Sequence, residues 1–96
     1  MATLFYEVYE AAAEVGLGHP VDEGQIAIGS TSTQSAAIPT TGEGTKRVAL
    51  LPDAECIVKI GADPTANPTT GGGYIPQNML VYKYIEAGNK IAVIQK

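Results

Sequence analysis

The chain has 96 residues, ten acidic and six basic side chains for a formal net charge of −4, and 45% hydrophobic against 17% charged residues. This length supports one domain, residues 1–96. A single Cys excludes an internal disulfide framework, the ordinary apolar fraction excludes a disordered chain, and the negative balance argues against a nucleic-acid binder held by phosphate charge.

Residues 3–9, Thr-Leu-Phe-Tyr-Glu-Val-Tyr, are β-branched and aromatic and predict a strand. Leu4, Tyr6 and Val8 fall on one face, and Phe5, Glu7 and Tyr9 on the other. The rival is a helix from Glu7 to Val15, favoured by Ala11, Ala12, Ala13 and Glu14 and ended by Gly16 and Gly18. Residues 16–24 are a connection, so residues 1–24 read as an extended arm or as a strand plus connection. Glu7 interrupts any apolar leader, no basic residue precedes it, and no stretch approaches the ~18 apolar residues of a membrane-spanning helix. No membrane partner is therefore expected, and the single thiol fits synthesis in a reducing cytoplasm.

Residues 25–29 alternate weakly and predict a short strand. The hydroxyl tract from Ser30 to Ser35 is either an edge strand or a loop, and Pro39 stops any central strand there. Residues 46–51 and 55–60 predict two strands separated by the turn at Pro52, Asp53 and Ala54, with the spacing of a β-hairpin. In the second, Cys56, Val58 and Ile60 share a wholly apolar face, which places them in the core. Residues 61–73 hold two Pro and four Gly, a composition that excludes regular structure. Residues 79–85 and 90–95 predict a last pair of strands around the turn at residues 86–89, again spaced as a hairpin. Six to eight short antiparallel strands with Gly and Pro turns predict an all-β fold, a small β-sandwich of jelly-roll or immunoglobulin-like type. The size allows about 64% of the unfolded surface to be buried. That is one thin core, for which partner subunits are a natural source of stability.

The motifs that could carry chemistry are incomplete. Gly24 to Thr31 has the outline of a phosphate loop without its lysine. Asp63, Thr65, Asn67 and Thr69 have the spacing of a calcium loop, but Pro68 stands where Gly is required and Tyr74 replaces the bidentate carboxylate. His19 is the only histidine and has no visible nucleophile beside it. Cys56 sits on an apolar face, where a thiol is a small hydrophobe. Asp22 and Glu23, and Asp53 and Glu55, lie in or beside turns, as solvated acids do. Lys46 and Arg47 are too small a basic cluster for a nucleic-acid footprint. No nucleophile, base and orienter stand together, so neither an enzyme nor a cofactor is expected, and no catalytic or metal residue is assigned. Tyr74, Tyr82 and Tyr84 could form a stacking platform if they face solvent together.

Three segments, residues 28–37 (Ile-Gly-Ser-Thr-Ser-Thr-Gln-Ser-Ala-Ala), 56–66 (Cys-Ile-Val-Lys-Ile-Gly-Ala-Asp-Pro-Thr-Ala) and 88–95 (Gly-Asn-Lys-Ile-Ala-Val-Ile-Gln), carry a resemblance. Together they resemble small virion structural proteins of tailed bacteriophages and prophages. In those proteins a Ser/Ala-rich segment precedes a strand, a loop of this type follows a central strand, and a strand of this type closes the chain. The resemblance covers most of residues 25–96. It implies a head decoration or cement protein on the capsid surface of the virion, made in the bacterial host cytoplasm. The implied partners are the major capsid protein and further copies of the chain, as a dimer or trimer, without nucleic acid. The alternative is a tail or fibre module that binds a receptor or glycan. Contact residues do not transfer with the resemblance. On physical grounds the candidates are Phe5, Tyr6 and Tyr9 as aromatic anchors, and Asp63, Pro64 and Asn67 in a loop that could order on binding.

Overall fold

A computed structural model describes residues 2–10, 21–40, 44–69 and 73–96. The rival helix from Glu7 to Val15 does not form over Glu7–Glu10, which are strand; its residues 11–15, His19, the glycines at 16 and 18, and residues 41–43 and 70–72 lie outside the described residues. The described residues form eight strands: β1 (Ala2–Glu10), β2 (Asp22–Ile28), β3 (Thr33–Gln34), β4 (Thr45–Pro52), β5 (Cys56–Gly61), β6 (Gly73–Ile75), β7 (Val81–Glu86) and β8 (Lys90–Gln95). The N-terminal segment is a strand at least to Glu10, and the hydroxyl tract resolves into a two-residue edge strand.

The strands form two antiparallel four-stranded sheets, ordered β2-β1-β4-β7 and β3-β8-β5-β6. An eight-strand jelly roll pairs its first strand with its eighth, second with seventh, third with sixth and fourth with fifth. Counted from β2 round to β1, all four pairs are present: β2 with β1, β3 with β8, β4 with β7, and β5 with β6. The fold is thus an all-β sandwich with jelly-roll pairing, its chain opened between β8 and β1. The two sides of this opening lie close together: Ala2 pairs with Ile28, and the Gln95 amide donates to the Gly29 carbonyl at 2.9 Å. As a result β1, first in sequence, is an inner strand between β2 and β4.

Neither expected hairpin forms. β4 and β5 lie in opposite sheets, and so do β7 and β8. The turns themselves are real. The Asn89 amide donates to the Glu86 carbonyl at 3.1 Å, and Gly88 takes φ of 86°, a conformation natural to glycine. What differs is where the strands go afterwards. β4 points Val48 and Leu50 inward and β5 points Cys56 and Val58 inward, and all four are buried in one cluster. Arching over the core sets these apolar faces against each other, whereas a hairpin would leave both on one side of the interior. The turn after β4 is also held elsewhere: the Asp53 amide donates to the Thr3 carbonyl at 3.0 Å, and the Thr3 amide to Asp53 Oδ1 at 2.6 Å.

The core draws Leu4, Tyr6 and Val8 from β1, Ile26 and Ile28 from β2, and Ile75, Ile85, Ile91 and Val93 from the later strands. Ile38 joins from a loop, its backbone tied to Gly88 and Asn89. Burying one such side chain stabilises by about 1.5–3 kcal/mol. A second, smaller cluster lies outside the β3-β8-β5-β6 sheet, where Ala66 covers Ile57, Ala92 and Ile94. Among the described residues no helix is long and apolar enough to cross a membrane.

Candidate functional site

Alternation along β1, β2, β4 and β7 decides which residues reach the outer face of their sheet. Leu4, Tyr6 and Val8 turn inward, so Phe5, Glu7 and Tyr9 turn outward. The register sets Phe5 between Gln25 and Leu51, Glu7 between Glu23 and Ala49, and Tyr9 beside Arg47. β7 continues the rows with Tyr82 beside Ala49 and Tyr84 beside Arg47. The outer face is therefore apolar and aromatic over much of its width. Phe5 is 41% exposed, Leu51 40%, Leu80 50%, Tyr82 43% and Tyr84 67%.

A groove of about 650 Å³ crosses this face, walled by Phe5, Leu51 and Leu80 with Glu7, Glu23 and Gln25 along its side. That volume lies within the range of ~300–1,000 Å³ typical of ligand pockets. Its charged side chains are both acidic and stand directly opposite each other, Glu7 across from Glu23. The Tyr9 hydroxyl donates to Glu7 Oε1 at 3.0 Å. That bond is the first cause raising the Tyr9 pKa, with burial second. Beyond the groove, the buried Nε and Nη2 of Arg47 have no hydrogen-bond partner among the described residues.

The opposite sheet presents a different surface. The segment after β5 folds back over it and is pinned there. Gln34 Nε2 donates to Asp63 Oδ1 at 2.8 Å and to the Pro64 carbonyl at 2.7 Å, and the Ala66 amide donates to Ser32 Oγ at 2.9 Å. Asn67 Oδ1 accepts from the Thr69 amide and hydroxyl, both at 2.9 Å, which closes the turn. Of the calcium-spaced residues, Asp63, Asn67 and Thr69 are thus engaged in holding the loop. A shallower hollow of about 450 Å³ lies between this loop and residues 30–34.

The six residues expected at an interface divide between these two surfaces. Phe5 is exposed on the groove, Tyr6 is buried in the core and also lines the groove, and Tyr9 lies on the outer face but is covered. Asp63 and Asn67 are exposed on the far sheet, while Pro64 is buried. Residues 63–69 of the loop are pinned to residues 32–34 by the Gln34 and Ser32 bonds, and residues 70–72 lie outside the described residues. The three tyrosines also separate: Tyr82 and Tyr84 share the groove face, whereas Tyr74 stands on β6 and donates to Glu55 Oε2 at 2.9 Å. Among the groove residues absent from the sequence expectation are Leu51, Leu80, Glu7, Glu23 and Gln25. Leu51 had a signal, since residues 48–51 are apolar at four successive positions and alternation must turn two of them outward.

The chain matches no family model, no curated protein and no solved structure.

The three segments that carry the bacteriophage resemblance come together in space. Residues 28–37 supply β3 and its flanks, residues 56–66 supply β5 and the pinned loop, and residues 88–95 supply β8. Ser35 ties two of them, its Oγ accepting from the Ile91 amide at 2.9 Å. They form the framework of one sheet, and the groove lies on the other. Among the described residues no three His, Cys, Asp or Glu side chains are grouped to hold a metal ion. Cys56 is fully buried, and burial pushes its thiol up to about 11. A reactive thiol needs the opposite shift.

Proposed function

We propose that this domain is a non-catalytic binding unit that docks through the outer face of the β2-β1-β4-β7 sheet, as a head decoration protein on a bacteriophage capsid. The observation that carries the reading is the set of large apolar side chains, Phe5, Leu51, Leu80, Tyr82 and Tyr84, left exposed on one contiguous face. Exposed apolar patches mark interaction surfaces, and aromatic residues dominate the binding energy of such surfaces. The virion setting, the major capsid protein as partner and the dimeric or trimeric state rest on the sequence resemblance. A protein that binds only the assembled lattice stabilises it by mass action. Two or three linked copies raise avidity without strong single contacts.

The test is co-sedimentation of the purified protein with expanded, undecorated capsids of its source phage. Saturable binding at a fixed copy number per capsomer is the expected result, lost on replacing Phe5 and Leu51 by Ser. A second reading, a tail or fibre module that binds glycans, is favoured by the adjacent exposed rings of Tyr82 and Tyr84. Absence of capsid binding together with recognition on a glycan array selects it over the first.

A further inference from the structure

We propose that the groove on the β2-β1-β4-β7 sheet takes an extended protein segment with an apolar side chain and, two residues along, a lysine or arginine, the cation seated by Glu7 and Glu23. The inference deepens the docking reading above and rests on it. Three features of the groove specify this occupant.

The first is charge. Both charged side chains that line the groove are carboxylates, and the register places them directly opposite each other on neighbouring strands. Like charges in that position destabilise a sheet. Among the described residues the ion pair present is Lys46 with Glu10; no cation stands within ion-pair distance of Glu7 or Glu23, and Arg47, one row away beside Tyr9, does not line the groove. A cationic side chain from a partner relieves the repulsion.

The second is spacing. Phe5 and Gln25 form one cross-strand row, and Glu7 and Glu23 form the next row, two residues further along β1. Two residues of strand span about 7 Å, the separation of side chains i and i+2 on one face of an extended segment. A segment lying along the strands in either direction sets its apolar side chain on Phe5, Leu51 and Leu80 when its cation reaches the carboxylates.

The third is the chemistry of the walls. Phe5, Ala49, Leu51 and Leu80 offer no hydrogen bonds from their side chains, and Glu7 and Glu23 only accept them. The Gln25 amide and the Tyr6 hydroxyl are the lining side-chain donors, too few for a polyol with many hydroxyls. A second copy that set its own groove against this one would bring two more carboxylates to a lining whose charged side chains are both acidic.

The experiment is a titration of isotope-labelled protein followed by amide chemical shifts in low salt. The probe is the peptide acetyl-Thr-Phe-Thr-Lys-Thr-Phe-amide, and the control has Glu in place of Lys. Expected are shifts confined to the strands around Phe5, Glu7, Glu23 and Leu51, with the lysine peptide bound about fivefold more tightly than the control. That preference should shrink in 0.5 M salt and vanish in the variant Glu7→Gln, Glu23→Gln, whose unchanged spectrum elsewhere reports an intact fold. Equal binding of both peptides, shifts centred on the other sheet, or self-association through this face at rising protein concentration would overturn the proposal. The capsid assay separates the two ideas. Full capsid binding by the double Gln variant removes the cation site and leaves the decoration reading standing, whereas selective peptide binding without capsid binding does the reverse.

Discussion

The ring of Tyr6 occupies the space that a side chain on Gly24 would need. A β-carbon built on Gly24 would sit 2.7 Å from the Tyr6 hydroxyl oxygen, 2.8 Å from Cζ and 2.9 Å from Cε2. The two residues are direct cross-strand partners, and β2 is the edge of its sheet. An aromatic ring laid over an edge glycine supplies the packing that the glycine lacks. Burial, reinforced by the nearby Asp22 charge, raises the Tyr6 pKa.

Gly24→Ala should therefore cost about 1–3 kcal/mol, the range for overpacking a well-filled core. Tyr6→Phe removes the hydroxyl but leaves the ring carbon at 2.8 Å, so it should rescue little. Tyr6→Leu clears the ring, and in that background Gly24→Ala should cost much less. Urea denaturation of the four combinations measures the coupling directly. Strict additivity would show that the ring and the glycine are independent.

This pair also shows why the sandwich was more legible in the sequence than its site. The inward set Leu4, Tyr6 and Val8, and the inward set Cys56 and Val58, follow from period-two alternation, which is a local property. The turns at residues 53–54 and 86–89 are equally local. Whether a turn closes a hairpin or an arch depends on which distant strand is adjacent, and Asp53 is claimed by Thr3, fifty residues away in sequence. The groove is less local still. Phe5, Glu23, Leu51 and Leu80 come from four strands or their ends, and no short window contains two of them. Lys46 illustrates the same limit. As half of a basic dipeptide it is weighed only as a nucleic-acid footprint, yet the alternation of β4 carries it inward beside Val48.

The buried Lys46 carries its charge to Glu10, Nζ to Oε1 at 2.8 Å, with the lysine side chain fully enclosed and the glutamate partly exposed. Lys46→Ala removes both the charge partner and the packing of the long aliphatic stem, and should destabilise by roughly 2–4 kcal/mol. Lys46→Met keeps the volume and spares the desolvation of an ammonium, so it should cost clearly less. Thermal or urea melts of both variants decide the order. Equal losses would mean that the stem contributes little and the ion pair carries the effect.

The loop over the second sheet depends on Gln34 and Ser32. Ser32→Ala leaves the Ala66 amide without its acceptor, and should cost about 1 kcal/mol while speeding hydrogen exchange at Ala66. Gln34→Glu is the sharper test. It replaces the amide donor by a carboxylate facing Asp63 Oδ1 and the Pro64 carbonyl, and should loosen the loop more than Gln34→Ala does. Exchange rates at residues 64–67 report the result, and the groove on the other sheet should be unaffected. Loss of docking in these variants would place the binding surface on the wrong sheet.

Cys56 links the core to alkaline stability. Its thiol belongs to the inward face of β5, is fully buried, and is pushed from an ordinary value of 9.0 up to about 11 by burial alone. The folded state therefore holds the thiol proton more tightly than the unfolded chain does. The resulting stabilisation is fully present below pH 9, the unfolded value. Between pH 9 and 11 the unfolded chain loses its proton while the folded one keeps it, so stability falls with rising pH across that window. The Cys56 contribution is on the order of 2–3 kcal/mol. Tyr6, Tyr9 and Tyr74, whose values are also raised, act in the same direction at higher pH. Comparing the wild type with Cys56→Ala isolates the thiol. The variant is less stable at neutral pH because of its cavity, but its urea midpoint should decline less between pH 8.5 and 10.5. The native protein should likewise react with a thiol reagent only through unfolding, at a rate that urea accelerates. Parallel pH profiles for the two proteins, or fast labelling of the folded state, would show that Cys56 is reached by solvent.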